Sequence, residues 1–160
     1  MPAGALAARF ALYNDDTEGH ADSDLDLIVL DSAGNVVGAS GNGGSEERVH
    51  LADPKADTYR VCVVGYAPVG GNADYTLSSW VLAPNAIAGN FKALLPGVAY
   101  IGGTGTVSMS WSGLAAGQRH LGALRYLVNG AAQGATVVEV DTTDPLPPLS
   151  TARATPVRAR

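Results

Sequence analysis

The chain has 160 residues, 46% of them hydrophobic and only 16% charged, with 20 glycines and nine prolines, so it has room for one ordinary domain or two small ones built from short elements. Its net charge of −5 excludes a nucleic-acid partner, because phosphate contacts need a basic face. No stretch approaches the ~20 apolar residues of a membrane span, and apolar residues nowhere recur at helical spacing over a long window.

An all-β chain is therefore expected. The opening residues are Ala-rich but lack a cationic leader, so they are not a signal peptide, and an exported chain would carry its signal upstream. Leu6, Ala8, Phe10 and Leu12 alternate with Ala7, Arg9, Ala11 and Tyr13, predicting a first strand with one apolar face. Residues 14–24 form an acidic loop carrying Asp15, Asp16, Glu18, Asp22 and Asp24, with His20 among them. The next strand places Leu25, Leu27 and Val29 on one face and Asp24, Asp26, Ile28 and Leu30 on the other; Gly34-Asn35 then turns it into a partner over 36–40. Strands follow over 46–51, 58–66 and 73–82, separated by turns at Gly41-Asn42-Gly43-Gly44, at Asp53-Pro54 and at Pro68 to Asn72. The 58–66 strand is the strongest, with Tyr59, Val61 and Val63 inward and a partly covered face that begins at Arg60. Pro84-Asn85 breaks the pattern, and four more strands are readable over 89–94, 105–112, 119–129 and 135–141. Val107, Met109 and Trp111 predict a half-buried strand. A second segment this short is marginal alone and is expected to pack on the first half or complete a shared sandwich, meeting it around Trp80 and Trp111. Residues 142–160 are Pro-rich and aperiodic, and read as an extended or disordered tail.

The acidic loop is the best candidate for chemistry. Calcium takes six to eight hard oxygens, and Asp15, Asp16, Asp22 and Asp24 are candidate ligands for it. The alternation Asp22-x-Asp24-x-Asp26 begins like an EF-hand loop, but Leu27 replaces its glycine and Ala33 its bidentate glutamate, which rejects that motif. Asp26, set between leucines, is expected to be a structural brace that hydrogen-bonds a backbone loop. Serine hydrolysis needs Ser, His and an acid at one point; His20, His50 and His120 sit in ordinary contexts and no nucleophile elbow is present. One cysteine and three scattered histidines do not make a zinc site, and Cys62 reads as a small core hydrophobe. Gly102-Gly103-Thr104-Gly105 lacks the lysine and helix of a phosphate cradle and reads as a turn. Trp80, Trp111, Tyr59, Tyr66 and Tyr75 suggest either a carbohydrate platform or, more commonly at strand spacing, core.

Residues 24–37, 45–51, 58–66 and 74–77 resemble the bacterial pre-peptidase C-terminal domain, a small β-sandwich of secreted peptidases. Residues 105–114 and 117–126 are similar to the fibronectin type III-like segment that follows that domain in many subtilisin-like serine peptidases. Asp57 stands where the family has glycine, in a turn where aspartate tolerates a left-handed backbone. The resemblance implies a jelly-roll-like sandwich at 5–83, a smaller immunoglobulin- or fibronectin III-like segment at 86–141, and a tail at 142–160. It implies a secreted, non-catalytic accessory region whose partners are an upstream peptidase catalytic domain and protein or polysaccharide substrate. The alternatives from the residues alone are a free-standing carbohydrate- or protein-binding module and a structural spacer.

Overall fold

A computed structural model describes residues 1–85, 90–98 and 100–143. The expected tail lies outside them except for Thr142 and Thr143. The described chain is all-β, its strands joined by turns and three short 3-10 segments: β1 (Ala7–Leu12), β2 (Asp24–Leu30), β3 (Val36–Ser40), β4 (Glu47–Ala52), β5 (Arg60–Ala67), β6 (Ser78–Leu82), β7 (Phe91–Leu94), β8 (Ser108–Trp111), β9 (Arg119–Val128) and β10 (Ala131–Asp141). Every strand pairing is antiparallel.

Two three-stranded sheets, ordered β4-β1-β6 and β3-β2-β5, face each other across one core. Ala8, Phe10, Leu27, Val29 and Val49 are its buried centre, with Leu51, Tyr59, Val61, Val63 and Leu77 packed around them. The period-two reading of β2 holds: Leu25, Leu27 and Val29 are at most 3% exposed, while the alternate residues reach the surface of the sheet. Its hairpin partner is β3, across a turn in which the Asn35 amide donates to Asp31 Oδ1 at 2.8 Å. The Asn35 side chain adds a second bond, and together these hold the Asp31 carboxyl below its ordinary range. Gly38 brings β3 close against β4 of the facing sheet, since a Cβ there would overlap Val49 Cγ1.

The first strand departs from expectation. Ala7 and Ala11, on its outer face, are as buried as Ala8 and Phe10 on the inner one. A third layer, the β9–β10 hairpin, covers that outer face. Directly paired residues of neighbouring strands share a face, so Arg119, Leu121, Ala123 and Arg125 lie with Asp141, Glu139, Val137 and Ala135. This face meets the sandwich, because Glu139 bonds Arg9, Arg119 bonds Asp16 and Arg125 bonds Asp53. The opposite face, with His120, Gly122, Val138 and Val140, meets the β7–β8 hairpin, where Phe91 lies 3.5 Å from the place a Gly122 Cβ would occupy.

Four local expectations need correction. The ninth strand does not run through residue 129, and the tenth does not wait for residue 135. Asn129 and Gly130, at φ 51° and 81°, make a two-residue turn of the type that matches strand twist, and β10 resumes at Ala131 with a bulge before Gly134. Expected to be half-buried, β8 is exposed along its length: among the described residues its ladder partner is β7 alone, and Met109 and Trp111 keep 37% and 47% of their surface. The left-handed residue near the Pro54 turn is Asp53 (φ 42°), not Asp57; Asp57 instead accepts from the Ser32 and Thr58 amides, which lowers its carboxyl pKa. Tyr66 and Tyr75 are exposed rather than core, and Tyr66 falls at a break in register between β5 and β2 where the ladder cannot hold it inward.

Candidate functional site

The acidic loop folds as two short 3-10 turns, Asn14–Asp16 and His20–Asp22, joined through Gly19 in a left-handed conformation (φ 78°). Asp15 and Asp22 are exposed, and Asp16 and Asp24 are half-buried. Asp16 is committed to a cation, since its carboxylate takes a hydrogen bond from the Arg119 guanidinium. Asp24 keeps one buried oxygen, Oδ1, without a hydrogen-bond partner. Among the described residues no three His, Cys, Asp or Glu side chains gather as a metal-holding group. Asp26 pairs in the β2–β5 ladder opposite Val64, and its carboxylate lies beside Gly41, whose absent Cβ would come within 3.2 Å of Oδ1.

The bonds that brace this end of the sandwich come from residues that sequence reasoning passed over. Glu47, 1% exposed, accepts from the Asn42 amide at 2.6 Å and from its side chain at 3.3 Å. Ser45, fully buried, donates to the Ser23 carbonyl at 2.6 Å, and Ser23 Oγ accepts from the Val69 amide. Asn14 Oδ1 receives the Ser45 amide at 2.8 Å. The sequence signal was faint: an acid three residues after a Gly-Asn-Gly-Gly turn can fold back to satisfy that turn's free amide.

A second constellation joins the layers. Glu139 accepts from Arg9 at 2.6 Å and from the Tyr13 hydroxyl at 2.8 Å, with Arg48 at 3.5 Å. The Arg119 guanidinium lies 3.6 Å from the centroid of the Tyr13 ring and also bonds Asp141 at 3.0 Å. Burial, then the bond and the negative charge of Glu139, push the Tyr13 pKa up to about 12. Trp80 donates its indole N–H to the Arg119 carbonyl at 3.2 Å. Trp80 and Trp111 line one cavity of ≈ 250 Å³ with Phe91, His120 and Val138, as the expected meeting of the two tryptophans requires. The polar centre of the junction, Arg119 and Glu139, was absent from the sequence reading. Arg9 and Glu139 are separated by 130 residues, so no spacing rule links them.

The three histidines lie apart in the fold. His20 Nδ1 is 3.2 Å from the Asn14 carbonyl and His120 Nε2 is 3.0 Å from that of Ala115. His50 lies on the β4 row opposite Arg9, where partial burial and that cation depress its pKa. Cys62, half-buried, faces outward on β5 opposite Ile28 rather than into the core.

Over 72 residues, 44% of this chain, the sequence is 39% identical to pyrolysin of Pyrococcus furiosus, a subtilisin-like protease. The match spans 5% of pyrolysin. No protein-family model matches the chain. The likeness marks a region related to part of a subtilisin-like protease. No helix among the described residues is long and apolar enough to cross a membrane.

Proposed function

We propose that this chain is a non-catalytic accessory region of a secreted subtilisin-like serine peptidase, a β-sandwich that assists folding, export or substrate engagement of a catalytic domain. The observation that carries the reading is the 39% identity to so small a share of pyrolysin, a length that leaves the peptidase machinery to other parts of such a protein. The all-β architecture agrees with a carrier or binding role, as does the location of the three histidines, two beside backbone carbonyls and one facing an arginine. Extracellular location belongs to the same reading.

The test is hydrolysis by the chain itself and by the full polypeptide that contains it, with and without this region. The isolated chain should cleave neither fluorescent casein nor a chromogenic peptide. Removing the region should reduce secreted, active-site-titratable enzyme or raise KM on casein, while kcat per active site on the small peptide stays unchanged. Peptide cleavage by the isolated chain, or a full polypeptide without a peptidase domain, sinks the proposal.

A second reading, a binding module for polysaccharide, draws on Trp80, Phe91 and Trp111 sharing one cavity. Retardation of the chain in native gels cast with soluble xylan or hydroxyethyl cellulose, lost on Trp111→Ala, would favour it.

A further inference from the structure

We propose that the chain self-associates as a two-fold dimer through the apolar surface between the β7–β8 connection and the tip of the β9–β10 hairpin. Leu95, Val98, Tyr100, Ile101, Leu127 and Val128 are each at least 57% exposed. All but Ile101 line one cavity of ≈ 480 Å³. At on the order of 100 Å² apiece, they leave about 600 Å² bare, the upper end of what a monomer carries and approaching the ~800 Å² that each partner contributes to a standard interface.

Charge and shape both select a second copy as the occupant. Among the described residues no carboxylate lines the cavity, and the one charged residue there, Arg125, is already paired with Asp53 at 2.6 Å. On a molecule of net charge −5, this is a surface where two identical chains can meet without like-charge repulsion. Ile101 stands at the tip of a turn closed by the Gly103 amide on the Tyr100 carbonyl at 3.0 Å, with Gly102 at φ 73°. The ends of that turn, Tyr100 and Gly103, belong to the cavity wall. A projecting side chain beside a hollow on one patch is the arrangement a two-fold axis uses. Each copy's Ile101 enters the other's hollow, and the contact closes after two chains.

Sedimentation velocity over roughly 1–300 µM chain reads the association directly. The expected result is a dimer in the upper part of that range, with affinity weakened at least ~10-fold by Ile101→Glu and by Leu127→Lys on the facing wall, and retained by Ile101→Val. Ile101 is fully exposed, so Ile101→Glu should keep the wild-type circular dichroism spectrum; Leu127→Lys supplies a second disruptor read the same way. A wild-type chain that stays monomeric throughout overturns the proposal and gives the surface to a different occupant. Equal association of wild type and both disruptors overturns it as well.

Discussion

At the residue scale, Glu139 is one hub of the polar junction between the layers. Its carboxylate is shared by two arginines and a tyrosine, and Arg9, 12% exposed, already has a buried Nε without a partner. Glu139→Gln keeps the shape and removes the charge, leaving Arg9 poorly compensated. A loss of about 1–3 kcal/mol in urea unfolding is expected, less than for a fully buried pair because water reaches both groups. A change below ~0.3 kcal/mol would mean that the pair is screened to insignificance. Tyr13 gives a pH test. Its folded pKa of about 12 lies above the unfolded value near 10, so the stability it contributes is complete below pH 10 and is lost as pH rises from 10 through 12. Thermal midpoints from pH 8 to 12 should fall more steeply for wild type than for Tyr13→Phe; parallel curves would refute the assignment. Neither residue stood out in the sequence, where a lone tyrosine and a lone glutamate carry no motif. Asp16 did stand out, but its partner Arg119 lies 103 residues away, so the loop was legible as acidic and not as an anchor.

Among the elements, β2 was the most legible, because it is central in its sheet and one of its faces makes the core. Period-two alternation is a direct image of that arrangement. The first strand was half legible: its inner face follows the pattern, while its outer face is buried by a hairpin more than a hundred residues later. Asn129-Gly130 carries a hairpin signature that the strand expected over 119–129 ran through, and a bulge before Gly134 interrupts the alternation that would have marked β10. A prediction at this scale concerns Gly38, which sets how closely β3 approaches β4. Gly38→Ala drives a methyl into Val49, which has no room to yield in a core this dense, and should cost ~1–3 kcal/mol by urea denaturation. An unchanged midpoint would show that the sheets can separate freely.

For the whole molecule, two kinds of cohesion are layered. Apolar packing holds the sandwich, while the β9–β10 hairpin is fixed to it by ion pairs at three places, through Glu139, Arg119 and Arg125. Salt screens partly exposed charges and leaves a dry core almost untouched. Hydrogen exchange at ~1 M sodium chloride should therefore speed up in β9 and β10 relative to low salt, with β2 amides unaffected. Acceleration of β2 and β9 together would show one cooperative unit instead. The fold class was legible from composition and periodicity, but the layering was not, because it depends on which charged residues meet across the chain.

Away from its exposed tip, over residues 119–125 and 136–140, the β9–β10 ribbon has protein on both broad sides, and this gives it an unusual sensitivity to chain length. Over that stretch, odd-numbered residues of β9 speak to the sandwich and even-numbered ones to the outer hairpin, with the matching division in β10. One residue inserted between Gly134 and Thr136 would exchange the two alphabets for the rest of β10. Glu139 would then point toward Trp80 and Phe91, and Val138 or Val140 toward the Arg9 guanidinium. The tight turn at Asn129 and the bulge at Gly134 thus act as a reading frame, and tolerance for insertions along the chain should be lowest just after them.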